Sequence, residues 1–487
     1  MKRVFLIVIA SIFGFGGEFS LIGTADLQGV LEPTVKKNQK VGGIAQIAYK
    51  IRKIKSTKPN VLALSAGDDL MGVYFATFKG EAIFKLLSLA GYDILAFGNH
   101  EFDKGSKVLA KALEGVGFDA LCSDLNTSKS PLRGKCLEYK IVDFKEFRVG
   151  FFSLMTEDFA NITSASDIKL KEKNIPFAKE MVKRLKNKAD IVVAITHIGE
   201  KEDIKLAKAV DGIDIIFGGH SHNVTKNPLI INNTVVVNAG EKGEYLLELN
   251  LKVKKKKLDL NSTKFTLHKI SNTPALKEEK EKLNSYKKLL PKSVVLGKRD
   301  RAWDLRSSTI RFRESPFCDM VNEIIKDRFK VDIVLNNSGT FRGKGIYPAG
   351  SITSKDLREI DAFGNNLIKL KIEGKYIKEI LNHSASNLGK GGFLQVAGLR
   401  VVIENKKLKE VKVIKDGELK ELEPKKYYSV VTNSFLFNGG DGYFWFKKYG
   451  KSVTNSYTTI YSILSQYLLK YKNLTPKLDG RLIIKKE

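Results

Sequence analysis

At 487 residues the chain is too long for one ordinary core, and two domains are the better expectation. Its 43% hydrophobic content is normal for a soluble globular protein. The formal charge of +29 raises nucleic acid as a partner, but lysines dominate and are spread along the chain, and no zinc-finger spacing, Walker loop or helix-turn-helix signature accompanies them, so nucleic-acid binding is set aside.

At the amino terminus, Met1-Lys2-Arg3 precedes a run from Val4 to Phe15 that is apolar apart from Ser11, and Gly16 and Gly17 follow. A charged start, a short apolar region and small residues make a secretory signal over residues 1–17. The run is short for a transmembrane helix, so no stable membrane insertion is expected after cleavage; an uncleaved anchor is the alternative. The protein is then exported, periplasmic or extracellular.

Five short apolar runs follow: Phe19 to Gly23, Val61 to Ala66, Ile94 to Phe97, Ile191 to Ile195 and Ile213 to Phe217. Uniformly apolar, β-rich runs read as strands buried on both faces. Helical patterns at Gly80 to Leu89 and Ile175 to Lys186 alternate with them, so residues 18–270 form an α/β domain. Cys122 and Cys136 flank a polar, turn-rich stretch, and whether they pair is open; pairing leaves Cys318 buried and free. The Lys254 to Lys257 run sits between strand-like segments and reads as a solvated turn. After Pro274, Leu276, Leu283 and Leu290 recur seven apart, giving a linker helix within residues 271–291 with one narrow apolar stripe, stopped by Pro291. A second α/β domain spans residues 292–487.

Each of the five runs ends in residues that ligate metals. The ends read Thr24-Ala25-Asp26-Leu27-Gln28, Gly67-Asp68-Asp69, Gly98-Asn99-His100-Glu101-Phe102-Asp103, Thr196-His197 and Gly218-Gly219-His220-Ser221-His222. Four of the six histidines lie there. Ligands gather beyond the carboxyl ends of strands in open α/β sheets, so these ends should converge. Carboxylates, an amide oxygen and imidazoles without thiolate suit Mn, Zn, Co or Fe. There are too many for one tetrahedral ion. Two ions sharing a carboxylate use them, and such a pair clamps the attacking and leaving oxygens of a phosphoryl displacement. Asp68, preceded by a glycine that lets backbone pass close, is the natural bridge. His100 follows the ligand Asn99, with Asp103 three residues on; a His held by an Asp suits charge stabilisation or general acid work. A helix N-cap is the other reading of Asp103.

The ordered set Asp-x-Gln, Gly-Asp, Gly-Asn-His-Glu-Phe-Asp, Thr-His and Gly-Gly-His-Ser-His resembles the dinuclear metallophosphatase domain of the 5′-nucleotidase family. In the second half, Asn337-Ser338-Gly339-Thr340-Phe341-Arg342 is similar to the family's Asn-Gly-Gly-x-x-Arg, with Ser338 replacing a glycine. Phe363-Gly364-Asn365 is similar to its Pro-Phe-Gly-Asn, with Ala362 in place of proline. Leu394 to Leu399, which contains Gly398, and Phe435 followed by Gly439-Gly440-Asp441-Gly442-Tyr443 also fit. The resemblance runs from about Phe19 to Ile484. It implies an α/β (α+β) chain: an N-terminal four-layer α/β/β/α calcineurin-like metallophosphatase domain and a C-terminal α/β substrate-binding domain.

The resemblance also implies roles. A first ion would take Asp26, Gln28, Asp68 and His222, and a second Asp68, Asn99, His197 and His220. The family's first motif is normally Asp-x-His, so Gln28 is a departure; the alternative has it hydrogen-bonding a bound water. Phe363 and Phe435 would sandwich a nucleobase. Asn365 would bond a base edge, Asp441 the ribose hydroxyls, and Arg311 and Arg342 the phosphate oxygens. Gly398 joins the substrate-binding set through its motif, and Arg306 lies near a further family arginine but one position off. The plain alternatives are core packing for the phenylalanines and a solvated face for the arginines. The implied activity is hydrolysis of nucleotide phosphoesters by water acidified by two divalent ions, in a monomer whose partner is the nucleotide. UDP-sugars and 2′,3′-cyclic nucleotides are further ester classes. The competing readings are a thiosulfohydrolase-like esterase and a nucleotide-binding protein whose metal site Gln28 has degraded.

Overall fold

The computed structural model describes residues 16–485, except 37, 164, 166 and 344. The expected secretory segment therefore lies outside the described residues, save for Gly16 and Gly17. Those two pair with Lys254 and Val253, so the first strand starts before Phe19, where its apolar run begins.

Residues up to 269 mix strands and helices. In chain order these are β1 (Gly16–Thr24), α1 (Ile44–Thr57), β2 (Val61–Ser65), α2 (Glu81–Ala90), β3 (Ile94–Ala96) and β4 (Asp119–Leu121). There follow β5 (Lys140–Asp143), β6 (Arg148–Met155), α3 (Asn174–Lys186), β7 (Ile191–His197), α4 (Glu200–Ala209) and β8 (Ile215–Gly218). The set closes with β9 (Leu229–Ile231), β10 (Thr234–Asn238), β11 (Tyr245–Lys254), β12 (Lys257–Leu258) and β13 (Lys264–Lys269). The five apolar runs do not share one sheet. β1, β2 and β3 lie side by side in a sheet ordered β12-β11-β1-β2-β3-β4, with β13 also on β11. β7 and β8 lie in a second sheet ordered β9-β10-β8-β7-β6-β5.

The two sheets face each other across a core that includes Phe19, Leu21, Leu64, Ile94, Phe151, Ile195, Phe217 and Leu249. The outer face of the first sheet is covered by α1 and α2 through Ile47, Ile51, Ile83 and Leu87. That of the second is covered by α3 and α4 through Phe177, Met181, Leu185 and Leu206. The layers are thus α/β/β/α. In β7 this explains the uninterrupted apolar run: Val193 and Ile195 face the other sheet while Val192 and Ala194 face the helices. Parallel pairing of β1 with β2 and of β7 with β8 brings strand ends of like polarity together, with Thr24 beside Ser65 and Thr196 beside Gly218.

Cys122, just after β4, is disulfide-bonded to Cys136 with Cα atoms 5.8 Å apart, and Cys318 is buried and free. Closing a loop of this sequence separation, 14, removes about 3 kcal/mol of unfolded-chain entropy. The Cys122→Ala/Cys136→Ala double variant is therefore expected to unfold at lower urea, with a loss of that order. An unchanged unfolding free energy would show that the link does not constrain the unfolded chain.

The helix α5 (Lys277–Leu289) contains Leu283 of the three leucines spaced seven apart, while Leu276 and Leu290 cap its two ends. It docks on the first sheet's helical layer: Leu283 is buried in that core, and Glu279 pairs with Arg52 of α1. The second half builds α6 (Pro316–Phe329), β14 (Ile333–Asn337), β15 (Leu367–Glu373), α7 (Gly374–Ser386), β16 (Leu394–Ala397), β17 (Leu399–Glu404) and β18 (Lys407–Lys415). It ends with β19 (Glu418–Glu421), β20 (Tyr427–Asn433), β21 (Lys451–Asn455), α8 (Ile460–Tyr471) and β22 (Leu482–Lys485). A five-stranded sheet β16-β14-β20-β15-β21 is flanked on one face by α6 and α8 and on the other by α7 and a sheet β19-β18-β17-β22. Parallel β14 and β20 end together at Asn337 and Asn433, and antiparallel β15 starts there at Leu367. That one sheet end carries the segments around Arg342, Phe363 and Phe435. No helix among the described residues is long and apolar enough to cross a membrane.

Candidate functional site

The carboxyl ends of β1, β2, β3, β7 and β8 converge where the two sheets meet. Asp26, Gln28, Asp68, His220 and His222 all have positive φ, between 50° and 74°. Left-handed backbone at a non-glycine residue costs about 1–3 kcal/mol and persists only where surrounding contacts impose it. Here the imposing contacts are backbone bonds between strand ends: Asp26 N–H to the Gly67 carbonyl and Gln28 N–H to that of Asp68, both 2.9 Å. Those strand-end bonds fix the backbone that aims Asp26 and Gln28.

Asp68, His197 and His220 place one ligand atom each within 4.8 Å of one another. His197 Nε2 is 3.1 Å from Asp68 Oδ2 and 3.2 Å from His220 Nδ1. His197 Nδ1 is 2.7 Å from the Ala66 carbonyl, to which it donates, and this turns Nε2 inward. Burial works against charge on Asp68, yet His197 and His100 beside it hold its carboxyl below the usual range. Burial would drive the proton off His197, but Asp68 outweighs it and pushes the imidazole up to about 10. Burial and His197 push His220 down to about 3. Asp26 is buried and pushed up to about 7 by that burial. His100 Nδ1 is 2.8 Å from Asp103 Oδ2, and its Nε2 lies 3.9 Å from Asp68 Oδ2. Gln28 Nε2 is 2.9 Å from His222 Nε2, so the amide sits beside that imidazole at the rim.

Several supporting groups escaped the sequence reading. Glu241 Oε2 is 3.2 Å from His222 Nδ1 and orients that ring; although burial raises it, His222 and Lys242 hold its carboxyl down at about 2. The strand β10 pairs with β8 and ends just before Glu241, so strand pairing brings Glu241 beside His222. Asp203 accepts from Thr196 Oγ1 at 2.6 Å and Asn238 Nδ2 at 3.2 Å, bracing the His197 strand end. Glu101 accepts four backbone N–H groups. Only the fold brings these groups to their partners.

Above the cluster lies a cavity of about 300 Å³ shared by both halves of the chain. Gln28, Asp68, Asn99, His100, Asp103, His220 and His222 line it from the first half, and Arg311, Arg342, Phe363, Asn365, Phe435 and Asp441 from the second. Asp26 and His197 are buried beneath. The Nε atoms of Arg311 and Arg342 are buried without a hydrogen-bond partner. Burial and Arg342 lower Arg311 to about 10, and burial lowers Arg342. Asp441 accepts from Asn337 Nδ2 at 2.8 Å, while burial pushes its carboxyl up to about 6. Asn433 Nδ2 in turn donates to Asn337 Oδ1 at 3.0 Å, a support the sequence reading also missed.

Three placements differ from the motif-based expectation. Gly398 is not on the cavity wall: it makes the tight β16–β17 turn with φ of 75°, where a Cβ would come within 1.9 Å of the Asp332 carbonyl oxygen. Its glycine serves backbone packing, not substrate. Arg306 is exposed and bonds Asp304 through two nitrogens, away from the cavity. The Phe363 ring stacks on His100, with centroids 5.8 Å apart, and Arg342 lies 5.1 Å from its centroid, so in this arrangement it covers the His100 side of the cleft.

The donor set fits divalent cations. Asp26 Oδ1 and Asn99 Oδ1 are buried acceptors with no hydrogen-bond partner, and a bound cation would satisfy them. Residues 19–224 match the family model described as calcineurin-like phosphoesterase, and residues 295–448 that of the 5′-nucleotidase C-terminal domain. A calcineurin-like phosphoesterase unit implies divalent metal ions. The chain is 30% identical over 489 residues to the trifunctional nucleotide phosphoesterase protein YfkN of Bacillus subtilis, covering 89% of this chain but only 33% of that longer protein. It is 27% identical over 521 residues to the 5′-nucleotidase of Bos taurus, covering 96% of this chain and 90% of the relative. Among solved structures it superposes on the 5′-nucleotidase precursor from Thermus thermophilus with a TM-score of 0.87 at 26% identity, covering 96% and 99% of the two chains.

Proposed function

The chain belongs to the 5′-nucleotidase family, and from that premise we propose that it is a metal-dependent hydrolase of nucleotide phosphoesters acting first on nucleoside 5′-monophosphates. One observation carries this reading: two buried guanidiniums with unpartnered Nε atoms share a cavity with a cluster of metal-ligand side chains that includes orphaned oxygens. A phosphate ester would pair with the guanidiniums, and divalent ions between it and the orphaned oxygens would satisfy the latter.

Asp26, Gln28, Asp68 and His222 would hold one ion and Asp68, Asn99, His197 and His220 the other. Two divalent ions there would supply charge neutralisation and an acidified water molecule. The remaining work falls to the chain. Asp103 fixes the His100 ring so that Nε2 faces the cavity and donates toward the transferring phosphoryl group. Arg311 and Arg342 pair with phosphate oxygens, and Asp441 accepts from the sugar hydroxyls. Asn365 bonds the base edge, and Phe435 with Phe363 stacks the base once Phe363 leaves His100. The disulfide supports an oxidising, extracytoplasmic location.

The test is phosphate release from AMP, UDP-glucose and 2′,3′-cyclic AMP by metal-stripped protein refilled separately with Mn, Zn, Co and Mg. Release from AMP with at least one ion, lost in His100→Ala, is the expected result. Nucleotide binding without release under every ion would instead mean that Gln28 has disabled the centre.

A further inference from the structure

We propose that Glu101 is a positioning residue that sets the spacing of the two ligand loops and thereby the centre's affinity for divalent ions; this rests on the metal-centre reading above. The loops that carry Asp68 and Asn99 leave the adjacent parallel strands β2 and β3. Glu101 clamps them together. Its Oε1 accepts from Asp69 N at 2.7 Å and Leu70 N at 3.0 Å, and its Oε2 from Asp68 N at 2.9 Å and Gly98 N at 2.6 Å. The side chain is 1% exposed and does not reach the cavity wall, so it cannot touch substrate.

The clamp sits on a backbone-to-backbone contact that leaves no slack. Gly67 has φ of 86°, and a Cβ there would lie 2.3 Å from Gly98 N; a Cβ on Gly98 would lie 2.2 Å from Asp68 Oδ1. The His100 N–H then donates to Asp68 Oδ1 at 2.8 Å, which directs Oδ2 toward His197. Only a carboxylate suits four converging donors, because it accepts at both oxygens and donates at neither. A glutamine would turn an NH₂ toward two N–H groups. The loops would then spread, and Asp68 and Asn99 would move apart.

The experiment is isothermal titration of Mn into metal-stripped wild-type and Glu101→Gln protein, with no substrate present. Glu101→Gln should bind at least about tenfold more weakly, the range seen when groups supporting metal ligands are lost. At saturating Mn its kcat should fall while KM for the nucleotide changes little. Affinity equal to wild type in the folded variant would overturn the proposal. Should the variant fail to fold, hydrogen exchange of the wild-type amides of Asp68, Asp69, Leu70 and Gly98 decides: protection at the level of β2 and β3 supports the clamp, and exchange at loop rates overturns it. Wild-type protein that binds no divalent ion would defeat the metal-centre reading itself, a result distinct from equal affinities.

Discussion

Asp68→Asn is expected to lower kcat/KM for AMP by on the order of a thousandfold or more, equivalent to about 4 kcal/mol of transition-state stabilisation. Asn is nearly isosteric, and its carbonyl oxygen can keep the bond from His100 N–H at the Oδ1 position. What it removes is the negative charge that touches both candidate ion sites. Asp68 Oδ2 lies 3.1 Å from His197 Nε2 and 3.9 Å from His100 Nε2, and it is nearly fully buried, so its charge acts through little water. Neighbouring imidazoles keep it ionised despite that burial. The variant should therefore fold, bind divalent ions at lower stoichiometry, and hydrolyse hardly at all. Metal content by elemental analysis beside initial rates checks both halves; activity within tenfold of wild type would remove Asp68 from the bridging position.

The convergence of the five strand ends was legible in the sequence because strands buried on both faces leave long apolar runs, and such runs stop abruptly where the candidate ligands begin. Ile191–Ile195 followed by Thr196-His197 is the clearest case. Which sheet each run joins was not legible: periodicity reports burial, not partners, and the five strands divide between two facing sheets. The groups behind the ligands were hidden for a related reason. Glu241, Asp203 and Glu101 act on partners that the fold alone brings near, and an isolated acidic residue in sequence reads equally well as surface. Gly398 shows the opposite error. A glycine inside a motif-like stretch looks functional, while its positive φ and the Asp332 carbonyl beside it account for it completely. Phe363 lines the cavity, but its stacking on His100 depends on how the two halves meet, which neither half's motif encodes.

Arg342→Met carries the second large expectation, a fall of about a hundredfold in kcat/KM for AMP with little change in the thermal midpoint of the metal-free protein. Arg342 is buried on the cavity wall, its Nε has no acceptor, and its guanidinium lies 5.1 Å from the Phe363 centroid. A buried donor left unpaired destabilises the free protein by about 1–3 kcal/mol, so removing it costs the fold little. Charged hydrogen bonds to a phosphate are each worth about 1.5–3 kcal/mol, and a bidentate pair supplies the expected loss. Lysine restores the charge without the planar fork, so Arg342→Lys should recover only part of the activity. Affinities for fragments separate this role from base stacking. Arg342→Met should weaken inorganic phosphate and AMP together while leaving adenosine unchanged, whereas Phe435→Ala should weaken adenosine and AMP and spare phosphate. If Arg342→Met instead weakened adenosine and spared phosphate, the guanidinium would belong to the base face of Phe363 rather than to the reacting group.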